Sequence, residues 1–218
     1  MTRKTLPLVL ILIISALLFG CPDTTSHTRG VYMLLDTSGT YQNELSRAQA
    51  IINYLLGTLQ PGDSLAVARI DSGSFSEKDI IAKISFDKRP SVANQQKRVF
   101  RKKVDDFVNS AKGSAYTDIT GGVLQSVEYL NEIGAAKKHI LIFSDLKEEL
   151  VRGHIRDFPI RLDGCDVVAL NVTKLRSDNI DPREYYNRVE FWRKRVEAGG
   201  GNWRVLNDLE RLDTIFAE

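Results

Sequence analysis

Apolar and polar residues follow two periods along this chain, and the two periods alternate. Continuous apolar runs, such as 30–35 and the run within 138–144, are typical of strands buried in a parallel sheet. Apolar residues spaced by three and four, as in 42–59, predict amphipathic helices with one buried face. By the same criteria we predict further strands over 64–70, 80–86, 166–172 and 203–206, and further helices over 92–111, 123–133, 185–196 and 207–216.

This alternation predicts one α/β domain with a doubly wound, mostly parallel sheet flanked by helices. Between the strands at 64–70 and 80–86, the polar residues 71–74 break the apolar pattern, so we expect an antiparallel pair at the sheet edge. A chain of 218 residues is long enough to bury one sizeable core. We assign the domain to residues 29–218.

Residues 1–20 have the pattern of a signal peptide. Arg3 and Lys4 precede an apolar run, 6–19, which is shorter than the roughly 20 residues that a spanning helix needs. The run ends in Leu18-Phe19-Gly20-Cys21, which resembles the lipobox of bacterial lipoproteins, although Phe19 departs from the smaller residue usual there. The resemblance implies lipidation of Cys21 and cleavage before it. A plain secretory signal and an uncleaved membrane anchor are the alternatives.

The residues after the lipobox are polar, and we expect 21–28 to be a lipidated cysteine and its tether. The location implied is the bacterial cell envelope, with the protein held to a membrane by lipid. Pro22 follows the cysteine where an aspartate would signal inner-membrane retention, so the choice of membrane stays open. The other cysteine, Cys165, then has no intramolecular partner, and its apolar neighbours indicate a small core residue.

The charge balance argues against a nucleic-acid partner. The chain has 30 basic and 28 acidic side chains, and removing Arg3 and Lys4 with the signal peptide leaves 28 of each. Nucleic-acid binding would need a basic face or stripe. The short basic cluster at 97–103 lies beside acidic residues on a predicted helix, which indicates a solvated face.

Oxygen-bearing side chains cluster where two of the predicted strands end. Asp36, Ser38 and Thr40 follow the first strand, and Asp145 follows the strand at 138–144. The carboxyl ends of parallel strands share one edge of the sheet, so we expect these side chains and Thr117 to face one crevice. Two carboxylates brought close repel unless a cation lies between them, and hard oxygen donors suit Mg²⁺, with Mn²⁺ or Ca²⁺ as alternatives.

These residues resemble the metal-ion-dependent adhesion site of the von Willebrand factor type A domain. That family's pattern is D-x-S-x-S/T, a distal threonine, and an aspartate after a later strand. The resemblance implies five metal-ligand roles, for Asp36, Ser38, Thr40, Thr117 and Asp145. It also implies a protein ligand whose Asp or Glu completes the coordination of the ion. Leu146 departs from the glycine that many members carry after the aspartate.

Two other functions are compatible with parts of this pattern. Asp36 could accept a phosphoryl group in a metal-dependent phosphohydrolase, but that chemistry uses a second aspartate two residues on, where this chain has Ser38. The chain also lacks the glycine-rich phosphate loops and the nucleophile elbow of serine hydrolases. The third hypothesis is a domain that keeps the fold and binds no metal. We therefore expect a membrane-anchored binding module and no catalytic residues.

Overall fold

The computed structural model describes residues 28–39, 41–71 and 76–216. Its centre is a six-stranded sheet in the order β3-β2-β1-β4-β5-β6. The strands are β1 (Arg29–Leu35), β2 (Ser64–Arg69), β3 (Ile80–Ser85), β4 (Lys137–Phe143), β5 (Asp166–Leu170) and β6 (Asn202–Leu206). The α-helices are α1 (Leu45–Thr58), α2 (Pro90–Ser110), α3 (Ile119–Glu132) and α4 (Arg183–Ala198), with 3₁₀ segments at Gln42–Glu44, Glu77–Asp79, Ser177–Asn179 and Leu209–Phe216.

Strand β1 lies in the middle of the sheet and pairs in parallel with both β2 and β4. Its last residue, Leu35, stands opposite Arg69 of β2 and Phe143 of β4. Strands β5 and β6 continue the parallel arrangement, whereas β2 and β3 pair antiparallel at the edge. The predicted mostly parallel sheet with an antiparallel edge pair is therefore confirmed, and β1 and β4 end side by side.

Both faces of the sheet are covered, which explains why β1 has no polar alternation. Val31, Met33 and Leu35 pack in one layer with α1, α2 and the last 3₁₀ segment. Tyr32 and Leu34 pack on the other face with α3 and α4. A strand buried on both faces reads as a continuous apolar run.

Helix α3 packs unusually close to β1 because Gly122 has no side chain. A Cβ atom at Gly122 would lie 2.6 Å from Ile70 and 2.9 Å from Leu34 of β1. Contacts that short do not occur between real side chains, so a larger residue would push the start of α3 away from the sheet. The close packing fixes the loop before α3, which contains Thr117.

One predicted element differs in the structure. The closing helix predicted over 207–216 is a pair of short 3₁₀ turns, Leu209–Phe216, kinked at Arg211. The segment between β4 and β5, which includes Glu148 and Glu149, contains no helix. Among the described residues, no helix combines the length and the apolar character needed to cross a membrane. The predicted signal peptide and Cys21 lie outside the described residues.

Candidate metal centre

Three loops meet at the carboxyl end of the central strands. The loop after β1 is joined to the loop before α3 by two bonds, Gly39 N–H to the Ser114 carbonyl (3.0 Å) and Ser114 N–H to the Thr37 carbonyl (3.0 Å). The loop before α3 is joined to the loop after β4 by reciprocal bonds between Thr117 and Glu149, at 2.8 and 2.9 Å. Backbone hydrogen bonds therefore hold the three loops together at one site.

Asp36 lies at this point and is almost fully buried, with 1% of its surface exposed. One carboxylate oxygen accepts from the Ser38 backbone N–H at 2.8 Å, and the other accepts from the Ser144 hydroxyl at 2.7 Å. The Thr117 hydroxyl lies 3.5 Å from the first oxygen, which is a weak contact. Burial raises the pKa of Asp36, while the bonds from Ser144 and Ser38 act in the opposite direction.

Asp145 lies beside it at the end of β4 and is 3% exposed. Its carboxylate accepts from the Lys147 backbone N–H at 2.9 Å, and its carbonyl accepts from the Arg188 guanidinium at 3.1 Å. Burial, together with the charge of Asp36, raises the pKa of Asp145 to about 6, against the lowering effect of the Lys147 N–H bond and of the Arg188 and Lys147 charges. Two buried carboxylates thus share one site, and a cation between them would favour their ionised forms.

The structure brings together four of the five residues predicted as metal ligands. Asp36, Ser38, Thr117 and Asp145 are all buried at the junction of the three loops. Thr40 lies outside the described residues. Sequence reasoning did not assign a role to Ser144, which is fully buried and donates to Asp36. The signal for it was its place at the end of β4, directly before Asp145.

The donor set fits a hard divalent cation. Within the described part of the chain, Asp36 and Asp145 form no side-chain ion pair, so neither carboxylate is already neutralised by a basic residue. No group of three or more His, Cys, Asp or Glu side chains suited to a metal occurs among the described residues. A site here would therefore combine two carboxylates with hydroxyls and water, as Mg²⁺, Mn²⁺ and Ca²⁺ prefer and Zn²⁺ does not.

Leu146 adopts the backbone shape of the glycine that it replaces in the family pattern. Its φ angle is 66°, in the left-handed region that favours glycine. The side chain is 2% exposed and belongs to the core layer of α3 and α4. The Trp192 indole N–H also donates to the Leu146 carbonyl at 3.1 Å. Packing and this bond hold the strained conformation, so the loop after Asp145 keeps its turn without glycine.

Asp118, next to Thr117, has a structural role. Its carboxylate accepts from the Gly121 N–H at 2.7 Å, which caps α3, and it pairs with Arg156 at 2.8 Å. Glu148 supports the same helix end, because its carboxylate accepts from the Thr120 N–H at 2.7 Å. The acids flanking the site therefore orient α3 and hold Thr117 in place.

Comparison with known proteins rests on the fold. No model of a known protein family matches the sequence, and no curated protein matches it. Among solved structures, a von Willebrand factor type A protein from Catenulispora acidiphila is similar at a TM-score of 0.52 and 16% identity, over 86% of this chain and 40% of that one. The pilus adhesin SpaC from Lactobacillus rhamnosus GG, in its open conformation, is similar at a TM-score of 0.52 and 12% identity, over 87% of this chain and 29% of that one.

The chain spans less than half the length of each of these two proteins. At such low identity the likeness concerns the fold alone. The structure and these comparisons together show that this chain has the von Willebrand factor type A fold.

Proposed function

We propose that this protein is a lipid-anchored binding module of the bacterial cell envelope that recognises a protein partner through a divalent cation. The observation that carries the proposal is the burial of Asp36 and Asp145 together, with hydroxyls and backbone N–H groups as neighbours. Asp36, Ser38, Thr117 and Asp145 would hold the ion, with Thr40 as the fifth ligand implied by the family pattern. When bound, the ion supplies a coordination position for a carboxylate of the partner.

The direction of β1 suits an anchored module. The strand begins at Arg29, beside the predicted tether, and ends at Leu35, directly before Asp36. The strand has seven residues, and the six steps between them, at about 3.3 Å each, span roughly 20 Å. With Cys21 lipidated, the candidate metal centre would therefore lie at the opposite edge of the sheet from the membrane attachment, where a partner can reach it.

The residues at the site favour binding over phosphoryl transfer. A phosphorylated aspartate needs a proton donor for the leaving group, and the position two residues after Asp36 is Ser38. The Ser38 backbone N–H instead donates to Asp36 and fixes its orientation. A pilus adhesin is among the proteins that share the fold, which is consistent with an adhesive role at the cell surface.

Isothermal titration with Mg²⁺ and Mn²⁺ tests the metal centre. We expect binding heat from the wild-type protein and none from Asp36→Ala. Thr117→Val should bind Mg²⁺ more weakly than the wild type, because valine keeps the shape of threonine but lacks its hydroxyl. Asp213→Ala is the matched control, since Asp213 is an exposed acid in the last 3₁₀ segment, away from the three loops. The same absence of heat from the wild-type protein and Asp36→Ala would refute the metal centre.

Affinity capture of the full lipidated chain tests recognition. A partner captured in Mg²⁺ should be released by EDTA and should not bind the Asp36→Ala variant. A partner held equally well in EDTA would refute the bridging ion. Turnover of a phosphoester that is lost in Asp36→Asn would instead favour the phosphohydrolase.

Mass spectrometry of the membrane form should show a lipidated amino-terminal Cys21, and an unmodified cysteine would refute the anchor.

A further inference from the structure

A crevice of about 700 Å³ opens directly beside the candidate metal centre. One wall comes from the loop after β1, at Gly39 and Asn43, and the opposite wall from residues 173–177, which follow β5. Between them lie Asp145 and Lys147 of the loop after β4. Asp145 therefore belongs both to the metal centre and to the crevice, so a ligand segment on the ion would also extend over the crevice.

The crevice has an excess of positive charge. Lys147, Lys174 and Arg176 line it, and Asp145 is its one acidic lining residue among those described. Lys147 is paired with Glu149 at 2.6 Å. Lys174 and Arg176 form no ion pair with any carboxylate in the described part of the chain, and both are exposed. A cation beside Asp145 would balance that carboxylate and leave the crevice cationic.

One arginine holds the basic wall, residues 173–177, to the loop after β4, which carries Asp145. The Arg188 guanidinium forms a bidentate pair with buried Asp178, with both distances 2.7 Å. Asp178 in turn accepts from the Leu175 N–H at 2.7 Å, inside the basic wall. The Arg188 Nε–H donates to the Asp145 carbonyl at 3.1 Å. The basic wall and the loop after β4 are thus fixed relative to each other. Less conformational entropy is then lost when a ligand contacts both.

We propose that this crevice binds a second acidic side chain of the same partner segment, with Lys174 and Arg176 as its contacts. The inference rests on the proposed function, in which the first acidic side chain binds the ion. The ligand class is then a protein segment with two carboxylates at a defined spacing. The first carboxylate coordinates the ion, and the second would make weak charge contacts with Lys174 and Arg176. Together these contacts would select such segments over those with a single acidic side chain.

Synthetic peptides test this selection with the full chain kept in detergent. One set carries one aspartate in a glycine–serine background plus a second aspartate at increasing spacing, and the matched set carries asparagine at the second position. Binding is measured in Mg²⁺ and in EDTA. At the best spacing we expect the two-aspartate peptide to bind about tenfold more tightly than its asparagine match, as expected for two exposed ion pairs.

Charge variants locate the contacts. Lys174→Glu/Arg176→Glu should lose the preference for the second aspartate and keep Mg²⁺-dependent binding of single-aspartate peptides. Arg98→Glu/Lys103→Glu, which makes the same charge change at exposed positions of α2, should keep the preference. If the first variant does not fold, the neutral pair Lys174→Gln/Arg176→Gln serves in its place, with a smaller loss expected.

The outcomes separate the two proposals. Mg²⁺-dependent binding without a preference for the second aspartate, or a preference that survives Lys174→Glu/Arg176→Glu, overturns the crevice and leaves the bridging ion standing. A preference that persists in EDTA and is lost in that variant supports the crevice and overturns the bridging ion. Absence of binding to every peptide overturns both.

Discussion

Replacing Asp145 with asparagine should stabilise the metal-free protein and destabilise it in saturating Mg²⁺. In the folded chain, burial raises the pKa of Asp145 from its ordinary value of 3.8 to about 6. At about 1.36 kcal/mol for each pKa unit, keeping this carboxylate ionised near neutral pH costs the metal-free fold about 3 kcal/mol. Asparagine carries no charge, and its side-chain oxygen can still accept from the Lys147 N–H, which lies 2.9 Å from the carboxylate.

The sign of the pH dependence follows from the raised pKa. Between pH 3.8 and about 6 the folded state of Asp145 holds a proton that the unfolded state has released. The metal-free wild-type protein should therefore lose stability as pH rises through this window and stay less stable above it. The asparagine variant lacks this contribution, so the difference between the two proteins should grow over the same window.

Magnesium should reverse the order of stability. A ligand that binds only the folded state stabilises it by about 4.1 kcal/mol at a thousandfold excess over its Kd, which exceeds the cost of about 3 kcal/mol for the ionised Asp145. The wild-type protein should gain this amount, and Asp145→Asn should gain little because it has lost a charged ligand. Wild type and variant should therefore exchange rank between EDTA and Mg²⁺.

Urea unfolding near neutral pH, in EDTA and in Mg²⁺, measures both differences. Asp213→Asn is the control, because it removes an exposed carboxylate outside the three loops and should match the wild-type protein both in EDTA and in Mg²⁺. A lower stability of Asp145→Asn than of the wild-type protein in EDTA would refute the cost assigned to the buried carboxylate. Equal stabilisation of the variant and the wild type by Mg²⁺ would refute the role of Asp145 as a metal ligand.

Three further substitutions test the surroundings of the site. Arg188→Ala leaves the fully buried Asp178 side chain without its ion-pair partner and should destabilise the fold by about 3–5 kcal/mol. When Asp178→Asn is added, the combined loss in the free energy of unfolding should be smaller than the sum of the two single losses. Strictly additive losses in urea unfolding would contradict this. His139 is buried with its pKa held at about 4, so the wild-type protein should lose about 3 kcal/mol relative to His139→Leu as pH falls from 6.5 to about 4. Parallel pH profiles of the two proteins would contradict the shift. Leu146→Gly relieves the backbone at φ 66° but removes a buried side chain, so a net loss of about 1–3 kcal/mol is expected, and a gain in thermal stability would show that strain outweighs packing.

The elements of the sheet were predictable because their patterns are local. A run such as 30–35 with no polar residue indicates a strand covered on both faces, and β1 has that environment. The spacing of Ile51, Ile52 and Leu55 likewise predicts the buried face of α1. The pattern was less informative at 207–216, because apolar residues spaced by three fit a 3₁₀ turn as well as an α-helix.

The sequence alone also indicated that Asp36 and Asp145 each end a buried strand, since an acid after an apolar run can be read locally. The tertiary structure decided which other groups meet them. Ser144 donates to Asp36 because β1 and β4 are adjacent and in register, and the β5 loop stands beside the site because Arg188 joins Asp178 to the Asp145 carbonyl. These contacts join residues that are distant in sequence, and their formation depends on strand order and loop packing. No local pattern of apolar and polar residues encodes those distances.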